Sequence, residues 1–189
     1  MTIAVLALQG AFAEHEKVLD RLGVSHIELR QAGDLKKSFD ALILPGGEST
    51  VQSKLLKELD MFEPLKKRIE NGMPVLATCA GLILLASEIE GQDNCHFGTI
   101  PMCVRRNAYG RQLGSFHTIA ELKGVGEVPM TFIRAPYVAE TGDGVEVLAT
   151  VDGKIVGVQY KNQMAFAFHP ELDNDTRIHE KFAAMVRDK

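Results

Sequence analysis

Tryptophan is absent from this 189-residue chain, aromatic residues make up only 6%, and there are just three cysteines. Cys79, Cys95 and Cys103 cannot form a fully paired disulfide framework, so reduced thiols in a cytoplasmic setting are expected. No basic block occurs: 21 Lys and Arg stand against 25 Asp and Glu, a net charge of −4. Such a balance lacks the electrostatic footprint of nucleic-acid binding and does not favour an anionic membrane surface. Long hydrophobic runs are missing too. The greasiest stretch, residues 73–86, is broken by Pro74, Thr78 and Gly81 and falls short of the ~18 apolar residues of a membrane span. The first ten residues have no cationic start before their short apolar run, so they read as a buried strand rather than a secretory signal. The sequence also shows no repeat, linker or low-complexity segment.

What remains is ordinary for a soluble globular protein: 46% apolar and 24% charged residues. The length suits a single domain over residues 1–189. Residues 3–8 are a continuous apolar run typical of a strand buried on both faces, and 26–30, 41–44 and 75–78 read as further short strands. Between and after them, residues 11–22, 51–59, 64–71 and 80–89 read as helices, the first with Phe12, His15, Val18, Leu19 and Leu22 on one stripe. Strand–helix alternation of this kind implies a parallel sheet between helical layers. The second half is richer in short β-like runs, at 102–105, 115–121, 130–133, 145–151, 154–159 and 164–168. Asp152-Gly153 marks a hairpin, and a last amphipathic helix spans 175–186 with Ile178, Phe182 and Met185 on one face. The expected fold is therefore α/β, a three-layer α/β/α arrangement around a central mixed, mostly parallel sheet with an antiparallel extension.

Three segments carry chemistry. In Ala77-Thr78-Cys79-Ala80-Gly81 a strand runs into a cysteine and at once into a helix, with small residues two before and two after it. That is the spacing of a nucleophile elbow, whose turn is too tight for bulky neighbours. The positive end of the following helix would favour a thiolate at Cys79. A buried core cysteine is the competing reading. In Phe168-His169-Pro170-Glu171 a strand ends in a histidine and a carboxylate two positions apart. Residues i and i+2 of an extended segment face the same way, and Pro170 restricts His169. A carboxylate on one imidazole nitrogen with the other nitrogen free is the base half of a catalytic triad. A surface histidine in a helix-leading loop is the alternative. In Leu44-Pro45-Gly46-Gly47-Glu48-Ser49-Thr50 a strand ends in two glycines and a helix begins near Ser49. Backbone N–H groups here could face a developing oxyanion, and Glu48 could meet a substrate ammonium; the plainer reading is a turn capped by Ser49. Each segment follows a strand, the edge where open α/β sheets bind ligands. Together they supply a nucleophile, a base, its orienting acid and an oxyanion donor.

With these residues in view, the chain resembles the class I, triad-type glutamine amidotransferases, and within them the glutaminase subunits of pyridoxal 5′-phosphate synthases. The likeness runs through Leu8-Gln9-Gly10-Ala11-Phe12 with Glu14-His15, the segment from Pro45 to Thr50, and that from Thr78 to Ala86. It continues through Arg106 to Gln112, Phe132-Ile133-Arg134-Ala135-Pro136, and Phe168 to Leu172. The resemblance implies a class I amidotransferase, flavodoxin-like fold and glutamine hydrolysis for vitamin B6 synthesis, with Cys79 as nucleophile, His169 as base and Glu171 as its partner. Gly47 and Ala80 would supply oxyanion N–H groups. Gly47, Glu48, Ser49, Arg106, Ile133 and Arg134 would hold L-glutamine. Gln9 and Gly10 would lie near a (β/α)8-barrel synthase subunit that receives the ammonia, and no metal or cofactor is implied in this chain. Departures from the family pattern are His117 after Ser115-Phe116, Tyr109 where Phe is frequent, and Ala77 opening the elbow.

Two rivals remain at this stage: a cysteine hydrolase of the DJ-1 or PfpI type, and an amidotransferase-like module that docks without catalysis. Cys95-His96 and Cys103 match no usual zinc spacing. His15 reads as a structural or interface residue, and His26 and His179 as solvated ones.

Overall fold

A computed structural model of the chain describes residues 1–106 and 115–188. Tyr109 and the part of the family likeness over 107–112 lie outside the described residues. The first half is β1 (Thr2–Leu6), α1 (Phe12–Arg21), β2 (Ser25–Leu29), β3 (Ala41–Leu44), α2 (Ser49–Glu58), α3 (Phe62–Glu70), β4 (Val75–Thr78) and α4 (Ala80–Leu85). Then come β5 (Ala86–Ile89), β6 (Ile100–Arg105), β7 (Ser115–Leu122), β8 (Gly126–Ile133), β9 (Tyr137–Thr141), β10 (Glu146–Val151), β11 (Lys154–Tyr160), β12 (Gln163–Phe166) and α5 (Arg177–Arg187).

Ten strands form one sheet in the order β2-β1-β3-β4-β12-β11-β9-β6-β5, with β10 added on β11. From β2 to β12 every neighbour is parallel. The pairings of β11 with β9, β10 and β12, and of β6 with β9, are antiparallel, which makes the expected extension. Strands β3, β4 and β12 are buried at every position, the polar Thr78 and Gln163 included, in keeping with their largely apolar sequences. Helices α1 and α4 pack on the sheet, and α2 lies against α4. Among the described residues, no helix is long and apolar enough to cross a membrane.

The hairpin β7–β8 stands apart from the sheet. It is fastened to it by Phe132, whose ring lies 5.7 Å from that of Phe168, and by a hydrogen bond from His169 N–H to the Thr131 carbonyl (2.8 Å). The hairpin therefore roofs the carboxyl edge of β12.

Four expectations need correction. The helix expected over 80–89 ends at Leu85, and residues 86–89 become β5, parallel to β6. β9 was not foreseen. The segment after His169 is a single 3-10 turn, Pro170–Leu172, rather than extended chain. The buried face of α5 includes His179, which is 0% exposed and not solvated.

Candidate active site

The carboxyl ends of three adjacent parallel strands meet here. Register aligns Leu44 of β3 with Ala77 of β4, and Thr78 of β4 with Phe166 of β12. The Gly46-Gly47 turn, Cys79 and His169 thus leave the sheet side by side, which is where ligands bind in such sheets.

Cys79 has φ of +48°, a left-handed conformation that a non-glycine residue holds only where its surroundings fix it. Its N–H donates to the Phe166 carbonyl (2.8 Å), carrying the ladder one step beyond the strand before α4 begins. The small residue at 81 is required by space: a Cβ there would stand 2.9 Å from the Leu44 carbonyl carbon and closer still to its oxygen. This is the nucleophile elbow read from the sequence.

His169 is 6% exposed and Glu171 5%. The 3-10 turn brings Glu171 Oε1 to 2.7 Å from His169 Nδ1. Nε2 is then the nitrogen left to face Cys79, which lines the same cavity. Burial alone would lower the His169 pKa. The hydrogen bonds and charges of Cys79 and Glu171 outweigh burial and raise it to about 10. Burial likewise opposes ionisation of Glu171, but the hydrogen bond and charge of His169 hold its carboxyl below the usual range. The geometry is a charged imidazole between a thiol group and a carboxylate.

The glycine turn is packed against this line. A Cβ on Gly46 would stand 2.9 Å from His169 Nδ1 and 3.3 Å from Cys79 Cβ. Gly46 N–H donates to Thr78 Oγ1 (3.0 Å), and its carbonyl accepts from Ala11 N–H (2.9 Å). Gly10, at φ +102°, lies so close that a Cβ there would come 3.1 Å from Gly47 Cα. Gln9 Oε1 accepts from Glu48 N–H (2.9 Å), while Gln52 Nε2 donates to the carbonyls of Gln9 (2.9 Å) and Pro45 (3.1 Å). Loop 9–11 and the turn at 45–48 are thus one hydrogen-bonded unit.

Helix α2 is capped by Glu48, not Ser49: its carboxylate accepts from Thr50 N–H (3.3 Å) and Val51 N–H (2.9 Å). Arg106 Nη2 donates to Glu48 Oε1 (2.7 Å). Burial pushes the Glu48 pKa up, but the backbone donors of Val51 and Thr50 and the Arg106 charge bring it below its ordinary value. Among the described residues, Ser49 Oγ is buried without a hydrogen-bond partner. A cavity of about 420 Å³ opens over these groups, lined by Gln9, Gly47, Glu48, Ser49, Cys79, Ile83, Arg106, Ile133, Arg134 and His169. The end of β8 closes one side, where the Ile133 carbonyl lies 3.9 Å from Cys79 Sγ and Arg134 takes φ +43°. Of the residues picked out in the sequence, Gly10, Ala80 and Glu171 lie beside the cavity rather than on its wall. Cys95 is exposed, and no cluster of His, Cys, Asp and Glu suited to a metal occurs among the described residues.

Sequence reasoning missed the packing role of Gly46 and the Thr78 hydroxyl, and it left His15 and His179 aside. His15 Nε2 lies 3.1 Å from Thr78 Oγ1 and 3.5 Å from Glu171 Oε2, and its Nδ1 is 2.9 Å from His179 Nε2. Burial lowers the pKa of both histidines, that of His179 well below the ordinary value. A helical pattern at 179, 182, 183 and 186 was the available signal for His179.

A parallel sheet with a cysteine elbow, a histidine–glutamate pair on the next strand and a glycine turn beside them defines the amidotransferase type of α/β protein. The solved structures agree. A crystal structure of a glutamine amidotransferase superposes with a TM-score of 0.92 at 42% identity, covering 98% of each chain. The structure of PurLQS from Thermotoga maritima shares the fold at TM-score 0.71 and 14% identity, over 97% of each chain. Residues 5–188 match the SNO glutamine amidotransferase family, and the chain belongs to that family. Among curated relatives, the pyridoxal 5′-phosphate synthase subunit PdxT of Desulfitobacterium hafniense strain Y51 is 59% identical, over 100% of this chain and 94% of the relative. The protein of that name from Streptococcus pneumoniae is 56% identical over the full length of both. The relatives do not favour the DJ-1-like reading.

Proposed function

We propose that this chain, as a single glutaminase domain over residues 1–189, hydrolyses L-glutamine to L-glutamate and ammonia for a pyridoxal 5′-phosphate synthase. The observation that carries the reading is the buried Cys79–His169–Glu171 line facing a cavity with a free serine hydroxyl and an acid–arginine pair on its wall. The relatives named as synthase subunits support the assignment of pathway.

The Cys79 thiolate attacks the side-chain carboxamide of glutamine. Charge collects on the carbonyl oxygen, facing the N–H groups of Gly47 and Ala80; Ala80 opens α4, where no intrahelical carbonyl claims its N–H. His169, charged and held by Glu171, gives a proton to the leaving nitrogen, and ammonia departs from a γ-glutamyl thioester. His169 then takes a proton from water, which attacks the thioester and releases glutamate. Glu48 and Arg106 meet the zwitterionic end of the substrate. Ser49 Oγ and the backbone of Ile133 and Arg134 complete the wall.

The ammonia needs a sheltered acceptor, because in neutral water it is mostly protonated and not nucleophilic. The partner is the (β/α)8-barrel synthase subunit, PdxS. Gln9 and Gly10 face it, and their bonds to the glycine turn let docking act directly on the oxyanion donors. The test is glutamate release from glutamine with and without the barrel subunit. A large gain on adding it supports the reading. No hydrolysis under either condition overturns it.

A further inference from the structure

The proposed chemistry uses Glu171 only through Oε1. Its other oxygen, Oε2, is buried and makes no hydrogen bond among the described residues. A buried carboxylate oxygen left without a donor is unfavourable, so the groups that face it matter. The group that does so is His15, on a different element: Nε2 of this residue, 0% exposed, stands 3.5 Å from Oε2. We propose that His15 is a positioning residue for Glu171, its Nε2–H directed at Oε2 and its tautomer fixed by His179. The inference rests on the glutaminase reading for its meaning in catalysis, but the proton arrangement stands on geometry alone.

Two proton arrangements are available. With the proton on His15 Nε2, that N–H donates to Thr78 Oγ1 at 3.1 Å, and Nε2 lies 3.5 Å from Glu171 Oε2. His15 Nδ1 is then a bare acceptor and takes the His179 Nε2–H at 2.9 Å. The atom left over is His179 Nδ1, which has no partner among the described residues and in this arrangement is an unprotonated lone pair. With the proton on His15 Nδ1, a lone pair at Nε2 would face the carboxylate oxygen. His179 would then carry a buried N–H at Nδ1 with no acceptor. Each arrangement leaves one donor over among the described residues, the His179 Nδ1–H in the second and the Thr78 O–H in the first; only the second also aims a lone pair at the buried carboxylate, so the geometry favours the first.

Charge agrees with this. His15 is faced by Glu171 and His169 from the turn after β12, by Glu14 on its own helix, and by His179 from α5. Burial dominates and lowers its pKa, so the imidazole stays neutral and turns an N–H towards Glu171 without adding a second cation. That leaves His169 as the one charged imidazole on Glu171. Thr78 Oγ1 extends the connection, since it also accepts from Gly46 N–H. A single side chain on α1 thereby braces both the triad acid and the glycine turn.

The test has two arms. In the wild-type chain with the barrel subunit, His15→Leu is expected to lower kcat for glutamine hydrolysis by about tenfold, the lower end of what loss of outer partners costs at metal sites, with KM unchanged. His15→Gln, whose amide N–H can reach towards Oε2, is expected to recover most of that loss. Wild-type kcat in His15→Leu, or an equal loss in a folded His15→Gln, would overturn the proposal while leaving the glutaminase reading intact. In the second arm, long-range 1H–15N NMR of the unmodified protein reads the tautomer directly. A neutral His15 protonated at Nε2 is expected between pH 6 and 8. A proton on Nδ1, or a charged His15, would overturn the proposal even if the leucine variant failed to fold or the chain proved inactive on glutamine.

Discussion

Adding one methyl group at Gly46 offers a severe test of the site's geometry. A Cβ there would stand 2.9 Å from His169 Nδ1, nearer still to Cε1, and 3.3 Å from Cys79 Cβ, whereas ordinary contact begins at 3.4 Å. The ring must retreat by about 0.5 Å at Nδ1 and further at Cε1, and it cannot do so freely. Its Nδ1 is held at 2.7 Å by Glu171, and its backbone N–H by Thr131. Displacement of a reacting group by about 1 Å costs on the order of 10² in rate. Gly46→Ala is therefore expected to lower kcat/KM for glutamine by roughly that factor. Overpacking of this kind also costs about 1–3 kcal/mol in stability. In a chain of this size each kcal/mol moves Tm by about 2–4 °C. Gly33→Ala is the control, because the nearest atom to a Cβ there is 4.0 Å away, and it should leave activity unchanged. Glutamate release and thermal melts on the two variants decide the matter. A Gly46→Ala protein with wild-type kcat/KM would refute the packing argument.

Further outcomes follow from the same geometry. Cys79→Ala should abolish glutamine hydrolysis while keeping a cooperative melt near that of the wild type; glutamate release above background would count against the nucleophile. Gly81→Ala sets a methyl group against the Leu44 carbonyl and should cost about 1–3 kcal/mol, read as a lower Tm and a lost elbow. The proton donor to the leaving nitrogen is charged His169, with its pKa raised to about 10 from 6.5. Activity should therefore persist above pH 7 and fall as pH passes through about 10, and Glu171→Gln should move that fall to lower pH. The sign for stability is the same: the contribution of the raised His169 is complete below about pH 6.5 and is lost as pH rises through about 10. A pH–rate profile with its alkaline limb near neutrality would contradict this.

Strands with unbroken apolar runs and glycine turns after them were legible in the sequence. Residues 41–44 and 75–78 are strands to the residue, and the three chemical segments do converge at one sheet edge. Residues 80–89 were not legible as helix followed by strand. Ala80 to Ala86 is buried throughout, and a short all-apolar run carries no period that separates the two. β9 was missed because its identity depends on pairing with β6 and β11, remote in sequence and not visible locally. The His15–His179 contact spans 164 positions and exists only once α1 and α5 pack together. His179 read as solvated because the stripe was drawn through Met185, whereas the buried face runs through 179, 182, 183 and 186. Gly46 read as one of two glycines that let the backbone face a ligand. Its constraint is instead the space taken by His169, which arrives from a strand two places away in the sheet.

Treatment with an electrophilic glutamine analogue, followed by peptide mass mapping, tests the central claim most directly. The cysteine that reacts should be the one that lines the cavity with His169. One adduct is predicted, on the peptide carrying Cys79, suppressed by excess glutamine and absent from His169→Gln. Labelling of exposed Cys95 in preference to Cys79, or labelling of Cys79 that glutamine does not suppress, would contradict the account.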